Sequence, residues 1–168
     1  MKKIALAALA TGLLLAGCYS SKTLLLDLAQ ATHPFPDGTW VGEDEEKTTI
    51  TLEARGQGYL MVDGKTRYDV VMVPLSDHEG TFAVAQADEG CAKRASECEW
   101  EYALAVIDGA RMREVVPNCE LDWPTISADV ASRSEGGDTC IFDDAAKLQH
   151  ALAWVAGNKH ASLTYAKQ

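Results

Sequence analysis

Five cysteines are the side chains best placed to do chemistry in this 168-residue chain. Cys18 stands alone near the start, while Cys91, Cys98, Cys119 and Cys140 form an even set in the second half. An even number of thiols in an exported domain reads as two disulfides, and four thiols allow three connectivities. The pairing Cys91–Cys98 with Cys119–Cys140 is favoured, because each pair brackets one irregular segment. Zinc is the rival chemistry, but neither a CxxC spacing nor a histidine cluster accompanies these thiols. The four histidines, His33, His78, His150 and His160, show no HExxH spacing. Asp77-His78-Glu79 offers too few fixed ligands to hold a metal. Glu43-Asp44-Glu45-Glu46 lacks the interleaved oxygens and the glycine of a calcium loop. It reads instead as a charged hairpin end that discourages edge pairing. A GxSxG or SxxK nucleophile is missing from the sequence. Ser134–Asp138 lacks the lysine and helix of a phosphate cradle, and Asp143-Asp144 suits a helix start. No catalytic set, metal site or cofactor is therefore expected.

Cys18 has a different context. Met1-Lys2-Lys3 precedes the apolar run Ile4–Ala16, and small residues lead into the cysteine. That is the pattern of a secretory leader. The run is shorter than the roughly 20 residues a spanning helix needs. Leu15-Ala16-Gly17-Cys18 resembles the lipobox of bacterial lipoprotein precursors. The resemblance implies cleavage before Cys18, a signal peptide of residues 1–17, and acylation of the cysteine on its sulfur and its new amino group. One acyl chain holds only marginally, at about 0.8 kcal/mol per buried methylene, and several chains anchor stably. In the sorting scheme that this signal resembles, Tyr19 rather than Asp after the cysteine implies the outer membrane, with the domain facing the periplasm.

The net charge is −10, and loss of Lys2 and Lys3 with the leader makes it two units more negative. Such a surface repels phosphate backbones, so nucleic acid is excluded as an expected partner. Direct adhesion to anionic head groups is disfavoured too, which leaves Cys18 as the membrane contact.

These groups need elements to position them. Leu24, Leu25, Leu28 and Ala31 have helical spacing, so Ser20–Thr32 is expected to include a short helix. His33–Gly38, with two prolines, then stops it. Residues 18–37 read as a tether and 38–168 as one β-rich domain. Thr49–Glu53 alternates polar and apolar, and Gly56-Gln57-Gly58 turns into Tyr59–Val62. Asp63-Gly64 and Asp108-Gly109 are hairpin signals. Thr81–Ala87 and Trp100–Ile107 are apolar on both faces, as central strands are. Setting Cys91 opposite Cys98 places Ala83, Ala85 and Ala87 against Val106, Leu104 and Tyr102. The disulfide-closed tip between these strands carries Lys93 and Arg94. Leu148, Ala151, Leu152 and Val155 share one side of a helix over Asp143–Ala156. Asp143 is expected to cap that helix, Gly157 to end it in left-handed geometry, and its apolar side to cover the alanine-lined sheet face.

The fold expected is mainly β: an antiparallel meander of six to eight strands in a small barrel or curved sheet, with one C-terminal helix. Gly38-Thr39-Trp40 before the first long strand resembles the opening motif of lipocalins. That resemblance implies an eight-stranded barrel with Trp40 closing one end and a cavity for apolar ligands. Counterparts of the family's second and third motifs are not found. The expected role is an uncatalysed binding or interaction lipoprotein of the envelope, with an envelope protein as partner. The alternative is a lipocalin-like carrier of a small apolar ligand.

Overall fold

The computed structural model describes residues 19–91, 98–158 and 160–168. Cys18 with its leader, and Lys93 and Arg94 of the loop tip, lie outside the described residues. In chain order the first strands are β1 (Tyr19–Ser21), β2 (Gly38–Gly42), β3 (Thr49–Arg55) and β4 (Gly58–Asp63). They are followed by β5 (Thr66–Pro74), β6 (Thr81–Asp88), β7 (Trp100–Asp108) and β8 (Arg111–Val115). Helix α1 (Cys119–Ile126), the short strands β9 (Ser132–Arg133) and β10 (Cys140–Ile141), helix α2 (Ala145–Gly157) and strand β11 (Ser162–Lys167) complete the chain.

Eight strands close into an antiparallel barrel. β2 to β8 pair in sequence, and β11 inserts between β8 and β2. Tyr165 faces Met112 across one ladder and Gly42 across the other. The expected barrel is thus present, with extra strands outside it and a second helix.

Both Asp-Gly hairpins form where expected. Gly64 at φ 56° and Gly109 at φ 61° occupy the left-handed region that these turns require. Gly58 serves a different purpose: a Cβ there would lie 2.2 Å from the Val70 carbonyl oxygen. Only glycine lets β4 approach β5 this closely.

Alternation along the strands makes two cores. The inner one holds Trp40, Ile50, Leu52, Met61, Val70 and Met72, among others. The outer one packs Ala83, Ala85 and Ala87 beneath Leu148, Ala151, Leu152 and Val155 of α2. Small residues on the sheet let the helix sit close, as the sequence indicates. Both expected disulfides are present, Cys91–Cys98 and Cys119–Cys140.

Several details differ from the sequence expectation. The β6–β7 ladder pairs Ala83 with Leu104 and Ala85 with Tyr102, a shift of two residues. A shift of two keeps every side chain on its face, so burial alone does not choose between the registers. Paired strand ends at Gln86 opposite Glu101, and the Cys91–Cys98 bridge closes a loop beyond the ladder. Asp144, not Asp143, caps α2, accepting from the Lys147 N–H at 2.9 Å. Asn158 ends the helix in extended geometry.

The largest difference is at the start. The expected helix over Ser20–Thr32 is reduced to one 3-10 turn, Leu28–Gln30, capped by Asp27. Tyr19–Ser21 is a buried strand instead, pairing with β7 and β10. The Tyr102 hydroxyl lies 2.7 Å from Ser21 Oγ and accepts from the Leu25 N–H at 3.0 Å. Ladder bonds and this anchor satisfy backbone groups that four apolar residues at helical spacing could not place. Within the stretch read as a tether, Tyr19–Ser21 and Leu26 are therefore buried, and Phe35 lies in the inner core.

Candidate functional site

The two ends of the barrel interior are chemically unlike. At the end where β6 begins, Phe35 packs edge-on against Trp40 at 5.7 Å and against Phe82 at 6.3 Å between ring centroids. The Tyr59 hydroxyl secures this plug, accepting from the Phe35 N–H at 3.0 Å and donating to the Phe35 carbonyl at 2.7 Å. Trp40, singled out in the sequence as a possible barrel-end residue, is buried in this group.

Above the plug, Met61, Met72 and Met112 line the interior with Ile50, Leu52, Val70, Val84, Ala103 and Ala105. About 30 Å³ of space remains among them. That accommodates a water molecule or two, against roughly 300 Å³ for an organic ligand. Methionines are unbranched and repack readily, so this wall is adaptable.

At the opposite end the inward positions turn acidic. Strand alternation places Asp63, Asp88, Glu101 and Glu114 on the inner face with Tyr68, Gln86 and Tyr165. Asp63, Tyr68 and Glu101 are half-buried at the rim, and Asp88 is exposed. Burial, reinforced by Glu99 and Asp88, pushes the Glu101 carboxyl up to about 7. Asp63 is raised by burial too. Tyr68 is raised by burial, and the charges acting on it are those of Asp63, Asp88 and Glu101. All three are acidic.

Glu114 lies deeper, 7% exposed, and burial pushes its carboxyl up to about 7. Its hydrogen bond from the Tyr165 hydroxyl is long, at 3.4 Å. Burial and the negative field of Glu114, Asp44 and Asp63 raise Tyr165 in turn. Glu114 Oε1 and Gln86 Oε1 have no hydrogen-bond partner among the described residues, and Gln86 is 1% exposed. A buried polar atom left unpaired costs about 1–3 kcal/mol, so two acceptors in one end of one barrel require a reason.

A second buried carboxylate lies outside the barrel, in the outer core. Asp122 of α1 accepts from the Tyr19 hydroxyl at 2.8 Å, the Asn118 N–H at 3.0 Å and His160 Nε2 at 2.6 Å. This network binds β1, α1 and the approach to β11 together. A hollow of about 360 Å³ lies beside it, lined by Arg113, Asn158 and His160 over Leu104, Val106 and Val115. His160 Nδ1 is buried, with no hydrogen-bond partner among the described residues.

Of the residues considered from sequence, the structure unites Cys91 with Cys98 and Cys119 with Cys140. His33 instead bonds the Gly58 carbonyl through Nε2 at 2.7 Å, and His150 Nδ1 bonds Asp129 at 2.6 Å. Asp77 occupies a turn at φ 62°. Among the described residues, no three of His, Cys, Asp and Glu converge to hold a metal ion. The inner acids were not singled out. Their signal was present in Arg111-Met112-Arg113-Glu114-Val115, where period two puts Glu114 beside Met112 on an apolar face.

Comparison with known proteins returns no matching protein-family model, no matching curated protein and no matching solved structure.

Proposed function

We propose that this chain is a lipid-anchored envelope lipoprotein, held at the outer membrane by Cys18, that binds a partner through the acidic end of its barrel without catalysis. The observation that carries the reading is the acidity of that end, where Asp63, Asp88, Glu101 and Glu114 form no salt bridge among the described residues. Like charges at a half-buried rim oppose folding, and unpaired acceptors below them add to the cost. A binding role gives both a purpose. The leader pattern before Cys18 and the two disulfides agree with an exported protein.

The carrier reading has one observation in its favour, the apolar, methionine-lined interior. It requires Met61, Met72 and Met112 to move aside and enlarge the space roughly tenfold.

Two experiments test the proposal. Membrane fractionation of Cys18→Ala should move the protein to the soluble periplasmic fraction; retention in the membrane would refute the anchor. A native pull-down from detergent-solubilised outer membrane, with lipids and proteins identified together, should lose its partner in an Asp63→Asn, Asp88→Asn, Glu101→Gln variant. Recovery of the same partner by both proteins would move the binding face elsewhere, and a co-purifying apolar lipid would favour the carrier.

A further inference from the structure

The acidic end of the barrel also indicates what kind of ligand it suits. Three observations converge. First, the inner face there presents carboxylates from β4, β6, β7 and β8: Asp63, Asp88, Glu101 and Glu114. Second, Glu114 Oε1 and Gln86 Oε1 have no hydrogen-bond partner among the described residues, and their residues are 7% and 1% exposed beneath the rim. With Glu114 ionised both are acceptors, so they then lack a donor. Third, the acids are spread out rather than gathered. Among the described residues they form no metal-binding group. Glu114 is opposite Ala105, four residues along β7 from Glu101, which is about 13 Å of strand.

These constraints define a ligand. It must be cationic and rich in N–H donors. It must be long enough to reach the rim and Glu114 together, which a compact ion is not. It must be slender, because the space below is about 30 Å³ and mostly apolar around Gln86 and Glu114, and its inner end enters only as the adaptable methionine wall gives way. We propose that the acidic end of the barrel binds a linear aliphatic polyamine, one ammonium at the Asp63, Asp88 and Glu101 rim and another donating to Glu114 and Gln86, with methylenes between them. Methylenes suit the apolar wall, and ammonium groups supply the donors that Gln86 and Glu114 lack. This inference rests on the reading of the acidic end as the binding face.

The test is calorimetric titration of the mature protein, extracted in non-ionic detergent, with spermidine at low ionic strength. Magnesium and butylamine serve as comparison cations at matched ionic strength. The expected result is saturable binding near one equivalent, weakened at least tenfold in Glu101→Gln and at least fivefold in Glu114→Gln. Magnesium and butylamine should bind at least tenfold more weakly. Both variants are isosteric and Glu101 is half-buried, so circular dichroism should confirm an unchanged fold. Absence of saturable heat, equal heats with magnesium, or binding indifferent to both substitutions would overturn the inference. If spermidine fails while the rim variant still loses its envelope partner, the polyamine assignment falls and the binding face stands. If neither experiment responds to the rim, both fall.

Discussion

Asp122 and Glu114 are both buried carboxyls, 2% and 7% exposed, yet their surroundings are opposite. Asp122 receives three hydrogen bonds between 2.6 and 3.0 Å, from Tyr19, Asn118 and His160. Among the described residues Glu114 receives one at 3.4 Å and keeps an oxygen unpaired. A charge is tolerated inside a protein when hydrogen bonds replace its water, and it opposes folding when they do not. The outer carboxylate therefore holds the structure together, whereas the inner one is a cost that the rest of the fold offsets. The two cores divide the same way. The outer core carries both disulfides and the Asp122 network; the inner one ends in acids that form no salt bridge among the described residues.

That contrast is open to direct attack. Removing Asp122 should have the largest effect. Asp122→Ala removes the acceptor that the Tyr19 hydroxyl, the Asn118 N–H and His160 Nε2 share, and should cost about 3–5 kcal/mol in urea denaturation. A loss below about 1 kcal/mol would mean that the network contributes little. Next is the Cys119–Cys140 bridge, with a sequence separation of 21. Chain-entropy arguments assign it about 3 kcal/mol, against about 2 kcal/mol for Cys91–Cys98, whose separation is 7. Paired Cys→Ala variants should follow that order in melting temperature, and equal losses would undo it.

The pH dependence should be smaller and opposite in sign to that of a paired carboxylate. Glu114 titrates at about 7 in the folded protein against an ordinary value of 4.5, so the folded state binds more protons between the two. Stability is then fully present below about 4.5 and is lost as pH rises through about 7, by on the order of 2–3 kcal/mol. Glu101 acts in the same direction, less strongly because it is half exposed to solvent. Melting temperature should therefore fall from pH 5 to pH 8; a rise over that interval would contradict the account. At the bottom of the scale, Lys22→Ala breaks an exposed ion pair with Glu99 and should change stability by less than about 0.5 kcal/mol.

Much of the fold was legible in the sequence because strong local signals agreed with the final structure. Asp-Gly turns, doubly apolar strands and a one-sided helix each describe their own segment and need no distant partner. The helical spacing within Ser20–Thr32 misleads because the partner of this stretch is distant: Tyr102, far along the chain, supplies the hydroxyl that holds Ser21 and Leu25. β11 was missed for a related reason. Ser162–Lys167 is short and follows the helix, and only closure between β8 and β2 defines it as a strand. The candidate site was partly visible, since Gln86 shares a face with Phe82 and Val84. The acids from four strands become one site only when the sheet closes on itself, and no local pattern encodes that closure.

The comparison between the two carboxyls reduces to one measurement, the unfolding free energy of Glu114→Gln against the natural protein at pH 8. If Glu114 is an unpaired buried charge, the neutral isostere should be the more stable of the two, by about 1–3 kcal/mol, with the difference vanishing toward pH 5. If the variant is instead less stable at pH 8, then Glu114 is a structural carboxylate like Asp122, and the acidic end of the barrel has no uncompensated charge to offer a ligand.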